Sequence, residues 1–473
     1  MYKVVKNINP QIFRGYDIRG EVDKDLSNDV LYSVGRAYAN FLHERRIHES
    51  TVGRDNRLSS EEYAKAFIQG LNDGGINTYD IGLSMTQIVN YSCYLFRTKG
   101  STMISASHNP KEYNGIKLGV GYSDSMLTAD VQYLKNATQK GEYVTGKGTN
   151  TKIDIYEDYL KDLLKHFSLK KKWKIVVDGC NTGSGHFYPD IFKNAGCTVI
   201  EQNCEMDGNF PLGVPDPTEV KVLKRVSDRV IAEKADLGFA FDTDGDRMSV
   251  VDENGRIIWM DSIVAIFAKD VLDFMPGSSI IFNTLCSRQV TDAVLAAGGD
   301  PVMCLTGYAF VKDKIREKRS PFGGELSGHI FFTDNYYGHD DGAYASLRLL
   351  QYLERKNQKL SEAMDELTTY ISSPEIKFGL ADDIKFKLID NDIKADFKKA
   401  WPNATFTELE GVRVDTEDQM AIVRASQNGP YITLKFEGKT QDIYDSVKLK
   451  VREILKKYPE IDWTHGVNTH ALD

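Results

Sequence analysis

Apolar residues recur along this chain with two alternating periods. Leu26, Val30, Val34, Ala37 and Phe41 repeat every three to four positions, one face of a 3.6-residue helix. Strand signals follow at 51–53. A second helix opens at Ser59, where Glu62 three residues on completes a capping-box pattern, and it stops at Gly74-Gly75. A strand over 77–81, a helix over 86–96 and a strand over 101–105 continue the alternation, which predicts a largely parallel sheet covered by helices. After the polar stretch 141–149 the pattern restarts. Ile155, Tyr156, Tyr159, Leu160, Leu163, Leu164 and Phe167 mark an amphipathic helix. Strands at 174–177, 198–201 and 236–241 alternate with helices near 184–195 and 219–233. Asn254-Gly255 then predicts a hairpin turn. A third block follows, with helices near 262–274, 288–297 and 341–355 and strands at 279–283 and 301–305. The last hundred residues read as α+β, with strands near 420–424 and 431–436 and a terminal helix over about 441–457.

Length changes this picture little. At about 150 residues per domain, 473 residues suggest three domains, but the spacing of the blocks gives four: 1–148, 149–255, 256–370 and 371–473. Apolar content of 41% and charged content of 27% suit packed globular cores. A net charge of −9 and a pI near 5.6 argue against nucleic-acid partners and anionic membranes. The six cysteines form no Cys-x-x-Cys pair, and no apolar run approaches a membrane span. The expectation is a cytoplasmic protein with reduced thiols, monomeric or homodimeric.

Candidate chemistry concentrates in four loops. Residues 100–118 read Gly-Ser-Thr-Met-Ile-Ser-Ala-Ser-His-Asn-Pro-Lys-Glu-Tyr-Asn-Gly-Ile-Lys-Leu. The strand over 101–105 breaks at 106–110, and Asn114-Gly115 is read as the turn into a second strand at 116–118. Ser107 is thereby expected on an exposed bend at the carboxyl end of a strand, where such sheets bind ligands. His108 is its neighbour, and Lys117 returns on the partner strand. A serine hydroxyl needs an adjacent base or electrophile to act as a nucleophile.

Asp242, Asp244 and Asp246 follow an apolar strand. Three such carboxylates raise one another's pKa unless a cation intervenes, and their oxygens suit a hard cation such as Mg²⁺. A calcium loop is the alternative, since Glu253 falls at its twelfth position, but Arg247 stands at the sixth, where glycine is required. Glu325, Ser327 and His329 lie in a glycine-bracketed loop: a carboxylate and a hydroxyl for vicinal sugar hydroxyls, and an imidazole for acid–base chemistry or phosphate. Arg424 ends a strand and can grip a phosphate, with Ser426 and Asn428 in the following turn as extra donors.

Taken together, these strings resemble the α-D-phosphohexomutases, the phosphomannomutase/phosphoglucomutase family, along essentially the whole chain and in family order. The resemblance implies three related mixed or parallel α/β domains and a smaller C-terminal α+β domain around a central cleft. It implies an isomerase that moves a phosphoryl group between O1 and O6 of mannose or glucose phosphate. Ser107 would be the phosphoserine, and one Mg²⁺ would be held by Ser107, Asp242, Asp244 and Asp246. A hexose 1,6-bisphosphate would serve as intermediate and activator. Arg19, Lys117, Arg247, His108 and His329 would complete the catalytic surround, with His108 or Lys117 as general acid–base, and Arg288 would add charge. Tyr16, Arg247, Glu325, Ser327, His329, Arg424, Ser426 and Asn428 would bind substrate.

Family members often carry lysine where Leu285 stands, histidine where Tyr308 stands, and Asn-Thr where Gln427-Asn428 stand, which leaves the preferred hexose open. Sugar-phosphate phosphatases, including the haloacid dehalogenase type with its own Asp-x-Asp, are the competing reaction class. A non-catalytic sugar-phosphate sensor is another. Phosphoglucosamine mutase is the alternative within the family, although Glu325-Leu326-Ser327-Gly328-His329 is similar to the mannose/glucose subgroup.

Overall fold

The computed structural model describes residues 2–427 and 429–472. Two compact units emerge, 1–260 with 327–363, and 261–326 with 364–473. In the first unit, β1 (Ile18–Glu21), β2 (Glu49–Arg54), β3 (Asn77–Leu83), β4 (Gly100–Ile104), β5 (Tyr113–Gly119) and β6 (Asn150–Lys152) form a sheet of order β1-β5-β4-β2-β3-β6. Pairings β4–β2, β2–β3 and β3–β6 are parallel, whereas β5 is antiparallel to both its neighbours. A second sheet, of order β11-β10-β9-β7-β8, comprises β7 (Lys174–Asp178), β8 (Thr198–Gln202), β9 (Leu237–Phe241), β10 (Met248–Asp252) and β11 (Ile257–Ile258). Strands β8, β7 and β9 are parallel, and β10 reverses. Each parallel core thus ends in a hairpin-like reversal, β4 to β5 and β9 to β10. The Ser107 loop makes the first and the Asp242–Asp246 loop the second.

The predicted helical face is buried: Val30, Val34, Ala37 and Phe41 lie on helix Asn28–Glu44, and Leu26 is buried just ahead of its N-cap. Ser27 caps that helix by accepting from Val30 N. Helix Ser60–Asp73 packs against it through two glycines. A Cβ on Gly35 would lie 2.5 Å from Phe67 O, and one on Gly70 would lie 2.3 Å from Tyr32 O. The capping box expected at Ser59 is absent: Ser59 has helical dihedrals and makes no side-chain cap. Its hydroxyl accepts instead from Asn114 Nδ2 at 2.8 Å.

Asn114-Gly115 is likewise no turn. Both residues lie inside β5, where Gly115 pairs with Arg19. A Cβ there would come within 2.5 Å of Ile18 O and 2.9 Å of Ser105 O, so the glycine serves a close backbone approach between three strands. Asn254-Gly255 does turn the chain from β10 into β11. Helix Thr128–Lys140 was not expected from the pattern, because only Val131, Leu134 and Thr138 of its residues are buried.

In the second unit, strand Ser279–Asn283 lies between Asp300–Cys304 and Phe322–Gly324, all parallel. Helices Arg288–Ala296 and Tyr308–Lys318 belong to this block. The latter escaped the periodic signal, since its sequence is dominated by charge around Val311 and Ile315. The final residues form an antiparallel sheet. Strands Thr405–Thr407, Val412–Asp415, Gln419–Ala425, Tyr431–Gly438, Ile376–Gly379 and Asp462–Val467 pair in that order. Helix Gln441–Leu455 packs on it through Val447, Val451, Ile454 and Leu455. Among the described residues, no helix is long and apolar enough to cross a membrane.

The glycine contact between the first two helices sets a stability prediction. Gly70→Ala forces the helices apart and should cost about 1–3 kcal/mol, beyond the roughly 1 kcal/mol that alanine's helix propensity returns. Thermal or urea unfolding of the variant checks it, and an unchanged or raised midpoint would contradict the packing.

Candidate active site

Ser107 ends the run out of β4 in the left-handed region, at φ +53°, a conformation costly for a residue other than glycine. Its N–H donates to Ser105 Oγ at 2.8 Å. Two arginines hold the loop around it. Arg19 Nη1 donates to Ala106 O and Asn109 Oδ1 while its Nε pairs with Asp17. Arg57 donates to four carbonyl oxygens, those of Ser107, Asn109, Pro110 and Tyr113. Tyr16 is buried just upstream of Asp17.

The expected exposure of Ser107 is wrong: the residue is fully buried. Its cover comes from the loop after β9, where Asp242 Oδ2 accepts from Ser107 Oγ at 2.6 Å. His108 Nδ1 lies 3.3 Å from the same hydroxyl. The side chains of Ser107 and Asp242 therefore meet directly across 135 residues of sequence.

Gly245, at φ +73°, bends the acidic loop, and a Cβ there would strike Met85 Sδ at 2.8 Å. Tyr188 OH donates to Gly245 O, and Ser184 Oγ donates to Asp242 O. Helix Thr86–Phe96 starts against this loop: Thr86 N donates to Asp244 O at 2.9 Å and Thr86 Oγ1 to Asp244 Oδ2 at 2.6 Å. Lys117 Nζ lies 2.6 Å from Asp244 Oδ2 and 2.5 Å from Asp246 Oδ2.

Two of the three carboxyls are raised, as the spacing implied, and the third is lowered. Burial, then Asp244 and Asp246, push the Asp242 carboxyl well above the ordinary range. Burial and Asp244 also raise Asp246. Burial opposes ionisation of Asp244, but Lys117 and the Thr86 hydroxyl hold it down at about 2. Burial disfavours the Lys117 ammonium, and the three aspartates outweigh it, so its pKa rises.

A hard cation fits this set. One oxygen of each of Asp242, Asp244 and Asp246 lies within 4.8 Å of the others, and all three residues are buried. Asp244 Oδ1 and Asp246 Oδ1 have no hydrogen-bond partner, a costly state for buried carboxylate oxygens.

His329 closes the other side. Its Nε2 accepts from Arg247 Nε at 2.9 Å. The imidazole proton therefore sits on Nδ1, which faces Asp340 Oδ2 at 2.8 Å and Asp246 Oδ1 at 3.6 Å. Arg247 N also donates to Asp242 Oδ1 at 3.3 Å.

Comparison with known proteins decides what this arrangement belongs to. Family models described as phosphoglucomutase/phosphomannomutase α/β/α domains I, II and III match residues 10–144, 156–255 and 259–370. The phosphomannomutase/phosphoglucomutase of Pseudomonas aeruginosa is 38% identical over 445 residues, 94% of this chain and 95% of that protein. The chain belongs to the phosphoglucomutase/phosphomannomutase family of hexose-phosphate mutases. A phosphoglucomutase of Neisseria gonorrhoeae is 33% identical over 97% of this chain and 99% of its own length. A crystal structure of a phosphoglucomutase/phosphomannomutase family protein from Burkholderia thailandensis superposes with a TM-score of 0.87 at 32% identity, covering 95% of this chain and 98% of that one.

Of the remaining loop residues, Ser327 belongs to the first unit, and Glu325, Arg424 and Ser426 belong to the second. Ser327 is half-buried and next to Gly328, whose carbonyl accepts from Met248 N at 3.2 Å. In the second unit Glu325 is buried, and its Oε1 accepts from Gly307 N at 2.7 Å, beside Tyr308 in the chain; the departures Tyr308 and Leu285 are both buried. Arg424 is buried, and its Nε is engaged by Glu410 Oε2 at 2.7 Å. Glu410 Oε1 also accepts from Thr284 Oγ1, Thr306 N and Thr306 Oγ1. Ser426 is buried after Arg424, with its N–H donating to Tyr431 O at 3.0 Å. Asn428 lies outside the described residues. Arg288 lies beside Asp292, and its N–H donates to Glu437 Oε1.

Sequence reading missed Asp55, Arg57, Thr86, Asp340 and Glu410. Arg57, Thr86 and Glu410 act through partners far away in sequence, whereas Asp55 matters only through its neighbour Arg57 and Asp340 through His329.

One more buried carboxylate abuts the site. Asp341 accepts from Tyr159 OH, Tyr336 OH, Ala343 N and Tyr344 N. Burial outweighs these bonds and raises its pKa to about 6. The folded state thus keeps a proton that the unfolded state releases near pH 4, so stability falls as pH rises between those values. The Asp341 contribution is roughly 3 kcal/mol. Subtracting the pH profile of Asp341→Asn unfolding from that of wild type should isolate this fall over about pH 4–6; a flat difference would contradict it.

Proposed function

We propose that this mutase interconverts hexose 1-phosphate and hexose 6-phosphate, with mannose and glucose as its hexoses, through phosphorylated Ser107 and a hexose 1,6-bisphosphate. The observation that carries the reading is the Ser107 hydroxyl 2.6 Å from Asp242 within a buried triplet of carboxylates. In the first transfer the free sugar hydroxyl attacks the phosphorus on Ser107. An O–P bond forms to the sugar as the bond to Ser107 Oγ breaks. The sugar hydroxyl gives up its proton and Oγ regains one. His108, with Nδ1 3.3 Å from Oγ, is the group that moves the proton at that atom. The bisphosphate then presents its other phosphoryl, and the same step runs in reverse.

Phosphoserine carries about −1.5 to −2 charge, and Arg19, Lys117, Arg247 and His329 surround it with positive and hydrogen-bonding groups. Asp242, Asp244 and Asp246, with an oxygen of the phosphoserine, would hold one Mg²⁺, which when bound offsets charge on the transferred phosphoryl. Block 1–148 carries the serine, 149–255 the metal loop, 256–370 the sugar loop and 371–473 the phosphate site. Glu325 and Ser327 read sugar hydroxyls; Tyr16, Arg247 and His329 also contact substrate, and Arg424, Ser426 and Asn428 hold the phosphate that does not react. Bisphosphate also re-arms an enzyme that has lost its phosphoryl group. The cytoplasm suits the six free cysteines.

Incubation with mannose 1-phosphate and glucose 1-phosphate tests the reading. Both should isomerise to 6-phosphates without matching release of inorganic phosphate, and Ser107→Ala should lower turnover on the order of 10⁴–10⁶-fold. Phosphate release equal to sugar turnover would identify a phosphatase instead.

A further inference from the structure

We propose that Arg57 is a positioning residue for phosphoryl transfer: it shapes the Ser107 loop so that Oγ stays aimed at the acidic triplet. This rests on the phosphoserine reading above. The guanidinium is buried and reaches four carbonyl oxygens of the loop, two of them through Nη2, on Ser107 and Asn109, each at 2.7 Å. Nη1 takes Pro110 O at 2.7 Å and Tyr113 O at 3.0 Å. One planar group thus spans the whole connection from the serine to the start of β5. Its reach suits a guanidinium, the side chain that offers five donors in a fixed fork.

Arg57 is itself fixed from three sides. Its Nε pairs with Asp55 Oδ2 at 3.1 Å, while Asp55 Oδ1 accepts from Arg57 N and from Ser60 Oγ. Asp55 N in turn donates to Ile104 O, at the end of β4. The Phe210 ring lies 5.0 Å from the guanidinium carbon, so the second sheet's block also packs on it. Next to Arg57, Asn56 Nδ2 donates to Asn181 O and Asn56 Oδ1 accepts from Gly183 N. The same three residues therefore tie the serine loop to the block that supplies the carboxylates.

This bracing answers a specific difficulty. Ser107 stands at a positive φ that serine disfavours, and its phosphate must be delivered and recovered in every turnover from one aligned position. A misplacement of about 1 Å costs on the order of 100-fold in rate. Arg57 touches the loop backbone and does not need to touch substrate, so its loss should lower kcat and leave KM for the sugar phosphate within a few-fold.

The test compares wild type with Arg57→Lys, which keeps the charge but loses the fork. Intact mass spectrometry follows phosphorylation of Ser107 by glucose 1,6-bisphosphate, alongside steady-state kinetics and urea unfolding. The expected result is phosphorylation and kcat both slower by on the order of 10–100-fold, with KM little changed. Equal phosphorylation rates in the two proteins, or lower stability alone, would overturn the inference. If Arg57→Lys does not fold, the double variant Asp55→Asn/Arg57→Gln removes both buried charges together, leaves none unpaired and should show the same slowing; wild-type rates there would also overturn it. Wild-type protein that never takes up phosphoryl on Ser107 would refute the phosphoserine reading itself, a separate outcome.

Discussion

A hydroxyl held 2.6 Å from a buried carboxylate is the contact on which the rest of this chain depends. Neither partner is stable there alone. Ser107 occupies backbone space that serine avoids, and Asp242 sits buried beside two more buried aspartates. What makes the pair tenable is the ring of buried cations and donors. Lys117 spans Asp244 and Asp246, Thr86 and the start of its helix take Asp244, and Arg247 reaches both Asp242 and His329. Removing one member of such a set leaves an uncompensated buried charge, which costs far more than a surface pair would.

The two sheets of the first unit solve one geometric problem in the same way. Each runs a parallel core into antiparallel pairings, and the first reversal in each carries one side of the Ser107–Asp242 contact. The serine loop follows β4 into antiparallel β5, and the acidic loop follows β9 into antiparallel β10. Loops at the carboxyl ends of parallel strands are natural ligand sites. Here the reversed strands also bring Lys117, on β5, and Arg247, just ahead of β10, to the three aspartates.

Much of this was legible in the sequence, and its failures have a common cause. Helix 86–96 and strand 279–283 fall where the apolar pattern put them, because burial on one face or two imposes a period. Ser107, the three aspartates, Lys117 and His329 stand out in short strings by residue type and spacing, and the structure brings them together. Asn114-Gly115 misled because a local turn signal was overridden: Asn114 donates to Ser59 and Ser60, and Gly115 makes room for two neighbouring backbones. The burial of Ser107 was invisible because its cover arrives from Asp242. Arg57 and Asp340 look like ordinary charged loop residues until their partners are known. Local chemistry is written in short strings, whereas the braces that aim it are written in pairs far apart.

The central claim, that phosphorylated Ser107 faces a divalent ion held by Asp242, Asp244 and Asp246, can be measured directly. Phosphorus-31 NMR of the phosphoprotein, with Mn²⁺ titrated in place of Mg²⁺, reads the distance through paramagnetic relaxation. The account predicts that the phosphoserine resonance broadens beyond detection as Mn²⁺ binds, and that it survives in the Asp242→Asn/Asp244→Asn/Asp246→Asn protein. A phosphoserine line that stays sharp in wild type with Mn²⁺ bound would contradict it.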